Sequence, residues 1–235
     1  MYSKLSNHIS YLITHPKRNK NKFLYFLVSI VLLILFVPFL EGGIYSSALL
    51  NLLTTIILLT GVYAVSDTKK QLIIASIFGV PWVIINWSSL FISTVMPGPA
   101  TISWGVLFFV YTTVVMFLNV IKGSRVTIET LYGAISVYLL IGLTYTSIYA
   151  LIEIVTPGSF NLINSQGIIH AFKVDELIYY SYTTLTTLGY GDIHPITPHA
   201  RTFAISEAII GQLYLTILVA RLVGLHISSI LNQDK

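Results

Sequence analysis

The sequence predicts an all-α integral membrane protein with six transmembrane helices and a shorter, re-entrant helix between the fifth and sixth. Three observations carry that prediction. Of 235 residues, 55% are hydrophobic and only 9% charged, whereas soluble domains carry about 25% charged residues. Six apolar stretches, near 23–40, 44–65, 72–96, 101–121, 131–155 and 202–225, approach the roughly 20 residues that a bilayer requires. Lys and Arg crowd into alternate gaps between those stretches, which is the pattern of membrane topology.

The first stretch follows a basic tail, residues 1–22, that holds Lys4, Lys17, Arg18, Lys20 and Lys22. It is longer than a signal-peptide core, and Pro38, Phe39 and Glu41 stand where a small-residue cleavage site belongs. It therefore reads as a retained helix. The gap after the second stretch holds Lys69 and Lys70, and the gap after the fourth holds Lys122 and Arg125. The opposite side receives only Lys173 and Arg201. An even number of spans puts both termini on one side, and the positive-inside rule makes that side the cytoplasm. The expected location is a plasma or inner membrane, with the segment between the last two spans facing outward.

The net charge of +4 would suit nucleic acid, but the basic residues lie in short gaps, so the bilayer is the expected partner and nucleic acid is not. The cluster at 17–22 reads first as a topology signal and only second as a patch for anionic lipid. The chain has no Cys, which removes disulfides, thiolate metal sites and cysteine catalysis. Pro97-Gly98-Pro99 marks an outer turn. Pro38 and Pro81 predict kinks, since neighbouring helices satisfy the carbonyls they free.

The informative region is 156–201. After a turn at Thr156-Pro157-Gly158-Ser159 and a polar stretch to Lys173, residues 174–186 are too short and too rich in hydroxyls to span a bilayer. Asp175 and Glu176 suit the positive end of a helix dipole at its start. Irregular backbone at membrane depth survives only when buried in protein or lining water, so the residues that follow are expected to line something. They are Thr186-Thr187-Leu188-Gly189-Tyr190-Gly191-Asp192.

This segment, with a span before it, a half-helix leading in and a span after it, resembles the signature of potassium channels, usually Thr-Val-Gly-Tyr-Gly-Asp. The specific likeness covers about 177–225. A dehydrated cation needs oxygens in place of its water shell, and backbone carbonyls supply them without a trapping charge. Gly189 and Gly191 suit the left-handed positions that keep successive carbonyls pointing one way. The resemblance implies K+ sites at Thr187, Leu188, Gly189 and Tyr190, in a filter closed by Gly191, with K+ as permeant ion and no other cofactor. It implies that Leu188 and Tyr190 side chains brace the filter from behind, and that Thr186, Asp192, Tyr179 and Tyr180 support it. Leu188 departs from the usual Val by about one methylene on the side facing protein. An acidic residue at position 190 would resemble non-selective relatives; this chain has the aromatic. Gly211 stands where the family has its gating-hinge glycine, with close helix contact as the alternative.

One filter segment cannot ring an ion, so the expected unit is a homotetramer, each subunit joined by three further copies of itself. The domain reading is a basic cytoplasmic tail (1–22), a four-helix peripheral membrane domain (23–121), a cytoplasmic linker (122–130) and a pore domain (131–231). The pore domain comprises an outer helix at 131–155, a pore helix at 174–186, the filter at 187–192 and an inner helix at 201–225.

Voltage sensors need Arg or Lys at every third position of the fourth span, and 101–121 contains none. The nine residues after His226 are expected to hold no ligand-binding domain. Glu207 reads as a carboxylate packed behind the filter on a Thr or Tyr partner, or as a gating group. Arg221 is expected to snorkel to headgroups. His194 and His199 flank the outer mouth and are minor candidates for pH sensing. The competing functions are a weakly selective cation channel, a non-conducting modulatory subunit and a membrane enzyme. For the enzyme, Asp67, Glu129 and Glu153 stand isolated at span ends, so no enzyme activity is expected.

Overall fold

The computed structural model describes residues 21–40, 44–91, 98–122, 127–162 and 173–231. The tail before Asn21, the centre of the 122–130 linker and the polar stretch 163–172 lie outside the described residues. Among the described residues six helices, the first counted with its closing 3₁₀ turn, are long and apolar enough to cross a membrane. They are α1 (Lys22–Phe36), α2 (Ile44–Val65), α3 (Lys69–Ser88), α4 (Pro99–Lys122), α5 (Ile128–Val155) and α7 (Pro198–Leu231). Between the last two lie β1 (Phe160–Leu162), the short helix α6 (Val174–Leu185) and β2 (Ile193–Pro195).

The termini of these helices follow local chemistry. Thr68 and Gln71 form a reciprocal capping box at the start of α3, with Gln71 N donating to Thr68 Oγ1 at 3.2 Å and Thr68 N to Gln71 Oε1 at 3.0 Å. Thr127 accepts from Thr130 N at the start of α5, so the outer helix begins earlier than its apolar run. Pro38 closes α1 through a 3₁₀ turn at Val37–Phe39, whereas Pro81 lies inside α3. The third span was expected to reach 96, but α3 ends at Ser88.

Packing centres on α5, which sits against α1, α4, α6 and α7. On α1 the buried residues Phe23, Phe26, Ile30 and Leu33, continued by Val37 of the 3₁₀ turn, recur at steps of three and four, one stripe of the helix. Phe26 reaches Gly61 of α2, and Trp82 of α3 reaches Gly105 of α4. Small residues at crossings let helices approach without a hydrophobic force between them in lipid.

The charges at the Lys22 end of the bundle are consumed locally. Lys22 Nζ donates to Asp67 Oδ1 at 2.5 Å, and Asn119 Nδ2 to Asp67 Oδ2 at 2.9 Å. Glu129 accepts from the backbone N–H of Asn21. At the other end of α5, Glu153 gathers the N–H groups of Gly158, Ser159 and Phe160 at 2.8, 3.0 and 3.3 Å. Arg221 corrects an expectation. Its Nη1 donates to Val120 O at 2.9 Å and its Nη2 to Ile121 O. The last carbonyls of α4 have no intrahelical donor, so a planar fork nearby caps them and is not left to snorkel.

Candidate functional site

The short helix α6 is wedged between α5 and α7. Its first turn carries Asp175 and Glu176, and Glu176 Oε2 accepts from Lys173 N at 2.9 Å. Two contacts fix its depth. Tyr182 Oη donates to Leu139 O at 2.6 Å, and the ring lies so close to Gly142 that an added Cβ there would stand 2.6 Å from it. On the other flank, a Cβ at Gly211 of α7 would meet Leu185 O at 2.5 Å. This close approach is reason enough for a glycine at 211, the alternative to a hinge in the sequence reading.

Beyond Leu185 the chain leaves helical geometry while remaining tied to it. Thr186 N donates to Tyr182 O at 3.1 Å and Thr187 N to Thr184 O at 3.0 Å. Leu188 N and Gly189 N both donate to Thr183 O, at 2.9 and 3.1 Å. The N–H groups at the start of this segment are therefore turned back onto α6. Thr187, Gly189 and Gly191 have φ of 60°, 53° and 81°. Left-handed backbone at every second residue turns successive peptide planes the same way. Glycine adopts it without steric cost, but Thr187, being β-branched, is held there against its preference.

Asp192 ends the segment with both carboxylate oxygens engaged. Tyr179 Oη donates to Oδ2 at 2.7 Å, and the Ile193 N–H to Oδ1 at 3.0 Å. That bond pushes the Tyr179 phenol up to about 12, so it remains the donor. Strand β2 then pairs antiparallel with β1, Asn161 opposite His194, anchoring the residues after Asp192 to the end of α5. His199 lies in the first turn of α7.

Tyr180 does not face the segment. It is buried, with ring centroids 5.1 Å from Tyr149 and 5.3 Å from Phe160. Tyr190 is 68% and Leu188 55% exposed on the single chain, so the bracing from behind that the resemblance implies for both is not made within one chain. Thr186 Oγ1 is occupied by Tyr182 O at 2.7 Å. Two residues were given no part at the filter by sequence reading. Gln212 Nε2 lies 3.4 Å from Thr187 Oγ1, its signal being an amide in an apolar helix beside Gly211. Ser181 joins Glu207 behind α6 at 2.5 Å.

The chain is a bundle of apolar helices that holds a hydrogen-bonded loop of alternating left-handed backbone between its last two long helices. Residues 149–226 match the family model described as "Ion channel". The chain is 40% identical over 87 residues to two pore potassium channel c of Oryza sativa subsp. japonica, a match covering 37% of this chain and 17% of that one. It is 36% identical over 82 residues to two-pore potassium channel 5 of Arabidopsis thaliana, covering 33% and 20%. An uncharacterised protein of Methanothermus fervidus is 40% identical over 68 residues, covering 29% and 10%. The chain thus spans a fifth or less of the length of these relatives. No solved structure matches it. Over residues 149–226 the chain is thus similar to ion channels.

Proposed function

We propose that four copies of this chain form a potassium-selective channel, with α6 re-entering from the outer face and residues 187–191 lining the axis. The observation that carries this is the backbone of that segment: left-handed φ at residues 187, 189 and 191, with the amides of 187, 188 and 189 hydrogen-bonded back to α6. Carbonyls so freed are suited to replace the hydration shell of a cation. Thr187, Leu188, Gly189 and Tyr190 then supply the ion ligands, and Asp192 and Tyr179 hold the outer end. The dipole of α6 supports the reading, since its negative end lies near Thr186, where a cation would pause.

The tetramer is supported by geometry that one chain leaves open. The most apolar window of α5 is 56% buried, that of α7, like that of α3, only 11%. Leu188 and Tyr190 also stand exposed on the single chain. Placing both termini in the cytoplasm follows the Lys and Arg distribution. With no Arg or Lys in 101–121, opening is not driven by a charged fourth helix.

The test is reconstitution of purified protein in liposomes with sodium outside and potassium inside. A reversal potential following the potassium gradient supports the proposal. A reversal near zero with large currents gives a weakly selective cation channel instead, and no flux gives a non-conducting subunit.

A further inference from the structure

Glu207 is the only acid in the buried set among the described residues, at 0% exposure. It sits on α7 where three helices meet. Tyr149 Oη of α5 lies 2.5 Å from Oε2, and Ser181 Oγ of α6 lies 2.5 Å from Oε1. Ser181 Oγ also lies 2.7 Å from the carbonyl oxygen of Gly142 on α5.

Counting hydrogens decides what this cluster is. The Ser181 hydroxyl owns one hydrogen yet stands within hydrogen-bond distance of two oxygens, and the Gly142 carbonyl has none to give. If Ser181 donates to an ionised Glu207, its lone pairs are pressed against Gly142 O. If it donates to Gly142, an ionised Glu207 repels it at 2.5 Å. Tyr149 has one hydrogen as well, directed at Glu207 Oε2. Every contact is satisfied when Glu207 carries a proton. The carboxyl accepts from Tyr149 and donates to Ser181, which donates onward to Gly142.

Charge leads to the same result. No Lys, Arg or His pairs with Glu207 among the described residues. The titratable groups facing it, from α5 and α6, are Tyr138, Tyr145, Tyr149, Tyr180 and Tyr182, all neutral phenols. An ionised carboxylate in that setting would be buried without a compensating cation.

We propose that Glu207 is a neutral, proton-bearing positioning residue that fixes α6, and with it the ion-lining segment, against α5 and α7. Ser181 precedes Leu185 by one turn, and Glu207 precedes Gly211 by one turn. The 207–181 and 211–185 contacts therefore lie on matching rows of α7 and α6. The amides of residues 187–189 hang on Thr183 and Thr184, between those two rows. A shift of α6 at Ser181 moves their anchor. The consequence for conduction rests on the channel reading; the protonation does not.

The experiment compares parent protein, Glu207→Gln and Glu207→Ala in liposomes, with infrared difference spectra of parent against Glu207→Gln at neutral pH. The spectra should contain the carbonyl stretch of a protonated carboxyl in the parent only. A Gln amide offers the same acceptor and donor pair, so Glu207→Gln should restore potassium flux to within about twofold of the parent, while Glu207→Ala loses about tenfold or more. Absence of the band overturns the proposal, as does a Gln variant as impaired as the Ala variant or an Ala variant that conducts like the parent. If the Ala variant does not assemble, the spectra and the Gln variant still decide. A parent that carries no flux would refute the channel reading, and the infrared band would still report the proton.

Discussion

Thr187 and Gly211 show how much rests on single side chains here. Thr187 holds a left-handed φ of 60° without being glycine, a strained choice that its amide bond to Thr184 and the approach of Gln212 help to hold. Gly211 makes a sharper test. A methyl there stands 2.5 Å from Leu185 O, and backbone gives way far less readily than the tip of a side chain. Overpacking of this kind costs about 1–3 kcal/mol. Gly211→Ala should therefore lower the thermal midpoint of the detergent-solubilised protein and disturb conductance itself, because Leu185 is the last residue of α6 before the ion-lining segment. A purely hinge-like glycine would instead leave stability and single-channel conductance intact and reduce only the time spent open. Thermal scans beside single-channel records separate the two.

Among the elements, the long helices and α6 were legible because length, apolarity and flanking charge act over many residues. The ends of α3 and α7 were not, since Thr68 caps and a Pro198 start are decided by one or two residues. Strands β1 and β2 were invisible because three-residue strands carry no periodicity, and their pairing joins residues more than thirty positions apart. At the site, Gly189, Gly191 and Asp192 could be read from the motif. Glu207 was legible as a carboxylate on a Thr or Tyr partner, which is Tyr149. The choice of that Tyr and the link to Ser181 and Gly142 were not, because the four members come from three helices. Arg221 was misread for a similar reason: its acceptors, Val120 and Ile121, are a hundred residues away. The absence of Lys and Arg from residues 101–121 yields a prediction at this scale. Each elementary charge crossing the membrane field gains about 2.3 kcal/mol per 100 mV, so steep voltage dependence needs several of them. Gating charge measured on purified channels in planar bilayers should be near zero apart from ion movement in the filter. A steep conductance–voltage curve would contradict it and require a sensor elsewhere.

For the whole molecule the open question is what surrounds Tyr190, and the sharpest prediction follows from its exposure. Its ring is 68% exposed on one chain, while Tyr180 is turned inward onto Tyr149 and Phe160. In the tetramer proposed above, that ring would be held by a neighbouring copy, bracing the outer end of the filter across the subunit boundary. Tyr190→Asp removes the brace and adds four negative charges around the axis of a tetramer. Selectivity, whether it arises from cavity size or from ligand number and field strength, needs the carbonyl rings held in place. The mutant's reversal potential under sodium outside and potassium inside should move strongly toward zero, where the parent follows the potassium gradient. Assembly should persist, because the apolar face of α7 is untouched by the change. Native mass measurement in detergent should give four times the 26.1 kDa chain for parent and mutant alike. A dimer as the largest conducting species would refute the fourfold arrangement. A mutant that stays selective would leave the tetramer standing and remove Tyr190 as its brace, shifting that role to the Tyr179–Asp192 bond within each chain.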